Sequence, residues 1–129
     1  LIGSGEQKPQ SGRIIFSGRA AHNEIAKSLN AADMFVLPTL AEGCCNAVVE
    51  AMACGLPIVS SNLPFNDDVL DENNSIRINP KNIDEIADAL RLLSENAQLR
   101  EKLSQGSLRT AAELVIDKRC EKIMNFMNM

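Results

Sequence analysis

The chain has 129 residues, 45% of them hydrophobic, which suits one domain with its own core and is too apolar for disorder. A formal charge of -4 and the lack of any long Lys/Arg run argue against non-specific nucleic-acid binding, and four Phe with no Trp or Tyr leave few stacking platforms for bases or glycan rings. No apolar run reaches the ~18 residues of a membrane span, and the polar opening residues lack the order of a secretory leader.

The pattern predicts strands alternating with helices. Leu1–Gly5 reads as the end of a strand running into a glycine turn at Gly3 and Gly5, with no initiator Met, so the chain is expected to be part of a longer protein. Breakers at 6–12 make a loop, and Arg13–Ser17 is a short apolar strand. From Asn23, the spacing of Ile25, Leu29 and Ala32 predicts a helix, with Glu24 at its favourable amino end. Met34–Leu37 is a second strand, closed by Pro38; such unalternated apolar runs suit a parallel strand covered on both faces. A helix is expected to start near Cys45 or Asn46, to carry Val48, Val49, Met52 and Ala53, and to stop at Gly55.

Pro57–Ser60 is the third strand, followed by a short helix across Phe65–Leu70. Ser75–Ile78 alternates as an edge strand does. Asn82 is placed to cap a helix, with Glu85 completing a box-like pattern and Ile83, Ile86, Leu90 and Leu93 on one face. Leu99 and Leu103 mark a further helix that Gly106 interrupts in propensity. A last helical segment presents Cys120, Ile123, Met124, Phe126 and Met127. The fold class expected is an α/β, Rossmann-like open parallel sheet with helices on both faces, a three-layer α/β/α arrangement. Ligands bind such sheets at the carboxyl ends of the strands.

Adjacent Cys44 and Cys45, with Cys54, Cys120 and the single His22, match no usual metal spacing. The thiols read as buried or half-buried groups in a reducing compartment, and no metal or cofactor is expected.

The turn after the second strand gathers the chemistry. Between Pro38 and Glu50 a strand ends, Gly43 lets backbone approach a ligand, and a helix begins whose first N–H groups lack internal partners and suit a phosphate. Glu42 precedes that helix and Glu50 lies inside it. Carboxylates accept charge-assisted hydrogen bonds from vicinal hydroxyls. A ligand with hydroxyls on both sides of a diphosphate meets all of these groups, and a nucleotide sugar has that form. The structural alternative is a loop carboxylate at Glu42 and a solvated helical one at Glu50. At Glu50 that alternative is awkward, because Ala47–Cys54 contains no other polar side chain.

The run from Glu42 through Val59, with its two acids separated by seven residues, resembles the signature of the family 4 retaining glycosyltransferases. Asn30–Thr39 resembles the family's lead-in, Leu1–Gly5 its glycine turn and Ile83–Leu93 its following helix. The resemblance implies one of two Rossmann-like domains of the GT-B type: the C-terminal, donor-binding one, incomplete at its N-terminus and spanning residues 1–129. The N-terminal acceptor-binding domain would be absent and the fragment alone inactive. By the same resemblance Glu42 contacts the donor sugar and is the catalytic candidate, and Glu50 contacts the nucleotide ribose. The backbone of Gly43, Cys44, Cys45, Asn46 and Ala47 lines the sugar–diphosphate path, with Gly3 and Gly5 a glycine turn near the donor.

The intact parent would move a hexose-type sugar from a nucleoside diphosphate to a glycan, lipid or other hydroxyl acceptor, with retention of configuration. Its partners are then the nucleotide sugar, the N-terminal domain and the acceptor, with no nucleic acid, and the last helix is a surface for self-association. The expected location is cytoplasmic, including the inner face of the membrane.

Three departures stand out. Cys45 occupies a position where members commonly carry Gly or Pro. Leu63–Asp68 replaces a glycine-rich turn. The family's diphosphate-binding Arg/Lys pair lies upstream of the first residue, and neither Arg13 nor Arg19 takes its place. Two rival readings are an epimerase-like enzyme of the same architecture and a non-catalytic α/β module. The second lacks the acidic cluster at a first strand end that a receiver domain needs, and Gly3-Ser4-Gly5 lacks the third glycine of a dinucleotide fingerprint.

Overall fold

Three short apolar runs pair in parallel, and their order follows the chain. The computed structural model describes residues 22–40 and 46–114. The chain divides into two units between Ala31 and Ala32. In the first, the described element is helix α1 (His22–Ala31), with Glu24 in its first turn.

In the second unit, β1 (Phe35–Leu37), β2 (Ile58–Ser61) and β3 (Ser75–Ile78) form a sheet in the order β1-β2-β3. Helix α2 (Asn46–Ala53) links the first two strands, and α3 (Ile83–Glu95) and α4 (Ala97–Ala112) follow the third. Helices flank both faces, giving the Rossmann-like α/β/α layering. The expected strand over 13–17 and the last helical segment lie outside the described residues.

The register fixes which side chains share a face. Val36 pairs with Val59, and Val59 with Ile76. With a period of two along each strand, Met34, Val36, Val59, Ile76 and Ile78 fall on one side. That side packs against Ile86, Ala89, Leu90 and Leu93 of α3 and Leu99 and Leu103 of α4. Every residue of β2 is buried. This central strand is thus buried without alternation, as a strand covered on both faces should be, although its second half is the polar pair Ser60 and Ser61.

Helix α2 buries Val48, Ala51 and Met52, an i, i+3, i+4 stripe. It closes at Gly55, whose φ of +76° is the left-handed conformation that ends helices and that a Cβ disfavours. Asn82 caps α3 by accepting from the Asp84 and Glu85 amides at 3.1 and 3.2 Å. The expected box is altered: the Glu85 carboxylate accepts from the Asn79 amide at 2.8 Å, while the Asn82 amide donates to the Asn79 carbonyl. Asn96 ends α3 and caps α4, accepting from the Leu99 amide at 3.0 Å.

Two expectations are corrected. Phe65–Leu70 is not a helix. A 3-10 turn spans Pro64–Asn66, and a single further turn follows in which the Leu70 amide donates to the Asn66 carbonyl at 2.8 Å. Pro64 sets the tight first turn, and Asn66 spends its side chain on β2. The second correction is Ile83, 81% exposed at the first position of α3. The buried face of that helix runs instead through Ala89 and Leu93, with Ile86 and Leu90 partly covered.

Helix α4 continues unbroken through Gly106 and is tied to the amino ends of the strands. Ser104 donates to the Gly55 carbonyl at 2.6 Å and Ser107 to the Leu56 carbonyl at 2.7 Å. The Asn74 amide group donates to the Thr110 hydroxyl at 3.1 Å. The amino rim is thus sealed by a helix, and the carboxyl rim is where the strands open into loops.

Candidate functional site

Parallel pairing of β1 and β2 makes α2 a crossover that runs back against the strands. Its amino end at Asn46 accordingly stands toward the carboxyl rim, and its Gly55 end toward the amino rim that α4 covers. A helix start at the carboxyl rim presents backbone N–H groups without intrahelical partners, together with the positive end of the helix dipole.

The carboxyl end of β1 is fixed by polar groups from β2. After Leu37 the chain turns at Pro38, and the Thr39 amide donates to the Leu37 carbonyl at 3.0 Å. The Ser60 hydroxyl donates to the same carbonyl at 2.8 Å, and the Ser61 hydroxyl donates to the Thr39 carbonyl. The Asn66 side-chain NH2 then donates to the Ser60 hydroxyl at 3.1 Å and to the Ser61 carbonyl at 2.7 Å. Ser60, Ser61 and Asn66 are each no more than 1% exposed. The Thr39 hydroxyl itself is buried and has no hydrogen-bond partner.

One strand over, the Asn62 amide donates to the Ile78 carbonyl at 2.7 Å, extending the β2–β3 ladder. Arg77 reaches back over the turn that follows β2. Its guanidinium donates to the Leu63 carbonyl at 2.9 Å and to the Asp67 carboxylate at 2.6 Å. Beside it lies an open cavity of about 350 Å³ lined by Asn62, Leu63, Arg77, Asn79, Pro80 and Glu85.

Of the residues singled out in the sequence, Glu42, Gly43, Cys44 and Cys45 lie outside the described residues, as do Gly3 and Gly5. Asn46 opens α2, and Ala47 follows it, exposed. Glu50 is the fifth residue of α2 and half-buried, between the buried Val48 and the buried pair Ala51 and Met52. Cys54 is a free, half-buried thiol. Among the described residues no three His, Cys, Asp or Glu side chains gather as a metal site, and no helix is long and apolar enough to cross a membrane.

Sequence reasoning missed Ser60, Ser61, Asn66 and Arg77. Their signal was present: two serines end an otherwise apolar buried strand, and an Asn follows five residues later. A buried hydroxyl or amide needs a partner, and the nearest backbone without one is the carboxyl end of the neighbouring strand.

Residues 4–109 match the family model described as "Glycosyl transferases group 1". Over 109 residues, 83% of this chain and 24% of the relative, the sequence is 32% identical to the UDP-Gal:alpha-D-GlcNAc-diphosphoundecaprenol alpha-1,3-galactosyltransferase of Escherichia coli. It is 25% identical over 117 residues to the sulfoquinovosyl transferase SQD2 of Arabidopsis thaliana, covering 83% of this chain and 23% of the relative. The fold superimposes with a TM-score of 0.70 on the C-terminal domain of the Glycosyl Transferase Group 1 Family Protein LpcC from Francisella tularensis. That match is 29% identical and covers 78% of this chain and 52% of the other. The chain spans about a quarter of the length of these two curated relatives.

Proposed function

Because the chain belongs to the glycosyl transferases group 1 family, we propose that it is the donor-binding, C-terminal part of a two-domain glycosyltransferase of the family 4, retaining class. The enzyme would carry a sugar from a nucleoside diphosphate to a hydroxyl acceptor. The observation that carries the reading is the start of α2 at the carboxyl rim of a parallel sheet, directly after the segment that holds Glu42 and Gly43. Phosphate at a helix start needs no cationic side chain, because the backbone amides and the helix dipole supply the attraction.

In this reading the first-turn amides of α2 and the backbone of Gly43, Cys44, Cys45 and Asn46 hold the diphosphate. Glu42 accepts from the sugar hydroxyls, and Glu50 accepts from the ribose. Transfer depends on holding the sugar in line and on stabilising charge as the diphosphate departs. The acceptor comes from the facing domain, whose closure removes water from the donor. The cytoplasm, or its membrane surface, is the compartment where such donors and lipid-linked acceptors meet.

The test uses the full-length transferase and a panel of UDP-, GDP- and ADP-linked hexoses with water as the acceptor, read by release of free nucleoside diphosphate together with free hexose. One donor should be turned over, and Glu42→Gln should suppress that turnover by roughly a hundredfold, the scale of losing a group aligned with the reacting centre. Undiminished turnover in the Glu42→Gln protein would remove the residue from the site.

A further inference from the structure

The open cavity at the ends of β2 and β3 has no part in the donor contacts proposed above. Six side chains line its volume of about 350 Å³: Asn62, Leu63, Arg77, Asn79, Pro80 and Glu85. We propose that it is a saccharide subsite, holding one neutral hexose unit of a glycan. Binding rests on the chemistry of the cavity itself, and its use in sugar transfer rests on the donor-site reading above.

The position suits a ligand. Open α/β sheets take their ligands at the carboxyl ends of the strands, and the volume falls at the small end of the ~300–1,000 Å³ usual for small-molecule sites. Neighbouring strands lie ~4.8 Å apart, so the end of β3, two strands over, stands about 10 Å from the point where β1 leaves the sheet. A sugar held there shares the rim with the start of α2.

Charge selects the ligand class. Arg77 is already committed: its guanidinium donates to the Asp67 carboxylate at 2.6 Å and to the Leu63 carbonyl at 2.9 Å, which neutralises it and fixes it as a wall. Glu85 accepts from the Asn79 amide through Oε2 at 2.8 Å and enters no ion pair among the described residues. Its Oε1 therefore gives the cavity a negative bias, which disfavours phosphate. One carboxylate is too few for a hard cation, which takes about six oxygens or more. A neutral polyol suits the same groups. A carboxylate accepts charge-assisted bonds from vicinal hydroxyls. The exposed carboxamides of Asn62 and Asn79 supply NH2 donors, that of Asn79 being oriented by the Lys81 amide at 3.0 Å on its oxygen. Half-buried Leu63 and Pro80 offer an apolar wall to the C–H face of a sugar ring.

The experiment titrates the full-length transferase with methyl α-D-glucopyranoside, methyl α-D-galactopyranoside and N-acetylglucosamine, read by ligand-observed NMR. One of these neutral sugars should saturate, and neither inorganic phosphate nor excess UDP, GDP or ADP should displace it. Glu85→Gln keeps an oxygen for the Asn79 amide and removes the charge, so it should weaken the sugar roughly tenfold or more. Asn62→Ala should weaken it severalfold and fold normally, because the side chain removed is exposed. Asp88→Asn, about a turn further along α3 with its carboxylate 75% exposed and outside the cavity, should bind the sugar as the parent does. Melting temperatures accompany each variant, and Asn62→Ala carries the decision where Glu85→Gln melts lower. The inference fails if none of the three sugars saturates, or if Asn62→Ala and Glu85→Gln bind as Asp88→Asn does. It fails equally if a free nucleoside diphosphate displaces the sugar, which would put the sugar in the donor site. Turnover of the donor panel by Glu42→Gln is read separately: normal turnover there removes the donor-site reading and leaves the Glu85-dependent sugar binding standing.

Discussion

Gly106 and the carbonyl of Asn73 meet with no room for a side chain: a Cβ on Gly106 would fall 1.9 Å from that oxygen. The contact lets the backbone of α4 press against the turn that leads into β3, beside the Ser107 and Asn74 hydrogen bonds. A glycine inside a helix ordinarily costs about 1 kcal/mol against alanine. Here the close approach more than offsets it.

Gly106→Ala should therefore destabilise the fold despite its better helix propensity. The obstructing atom is backbone and cannot rotate away, so a net loss of about 1–3 kcal/mol is expected, as for other overpacked cores. Thermal melting reads it as a drop of several degrees. A melting point at or above that of the parent would show that α4 does not lie this close to Asn73.

Ser107→Ala should act on stability alone. The hydroxyl donates to the Leu56 carbonyl at 2.7 Å within the covered amino rim, and its loss leaves that carbonyl buried without this donor. The expected loss is about 1–3 kcal/mol. Nucleoside diphosphate affinity, measured by calorimetry below the melting transition, should be unchanged. A large loss of affinity with an ordinary melt would place the donor on the wrong rim.

Arg77 and Asp67 should respond unequally. Asp67 is 60% exposed, so Asp67→Asn should cost less than about 1 kcal/mol, as exposed ion pairs do. Arg77 also holds the Leu63 carbonyl and is the more buried partner at 21% exposure, so Arg77→Met should cost roughly 1–3 kcal/mol. Denaturant melts of both variants decide it. Equal losses would mean that the ion pair, and not the grip on the turn, is what Arg77 supplies.

The parts of this fold that were legible in the sequence are those that local pattern dictates. The unalternated runs around Val36 and Val59 gave parallel strands, half-buried in β1 and buried throughout in β2, Ser75–Ile78 fell where its alternation put it, and Asn82 caps α3. Ile83 misled because its spacing fits the apolar stripe while its place in the first turn carries it past the sheet. Phe65–Leu70 misled because the side chain of Asn66 is claimed by Ser60 and Ser61, a tertiary demand that no local periodicity encodes. Gly106 looked like a weak point in a helix for the same reason: the residue that requires it, Asn73, is distant in sequence. Of the candidate site, the helix start at Asn46 was read from the sequence. The hydrogen-bonded group of Ser60, Ser61 and Asn66 at the end of β2 was not.

Thr39→Val should leave the fold as stable or more so. The Thr39 hydroxyl is buried without a partner, and the isosteric methyl removes a desolvated polar group at no loss of volume. A gain of up to about 1 kcal/mol is expected in thermal or denaturant melts. A clear loss of stability would mean that the hydroxyl has a partner after all.

Glu50 decides between the ribose contact and a structural role in an apolar helix. It is half-buried at the fifth position of α2, flanked in sequence by Val49 and Ala51. Glu50→Gln keeps the shape and removes the charge. A hydrogen bond to a charged acceptor contributes about 1.5–3 kcal/mol, which corresponds to a loss of nucleoside diphosphate affinity of roughly 10- to 150-fold. Glu42→Gln, by contrast, should leave the affinity for the free diphosphate nearly unchanged, because its proposed contact is to the sugar. Calorimetry on the full-length protein with the diphosphate and with the complete donor separates the two residues, and a thermal melt of each variant accompanies it. A Glu50→Gln protein that binds the diphosphate normally and melts far lower would assign the carboxylate to holding α2 in place, and the ribose would have to be bound elsewhere on the rim.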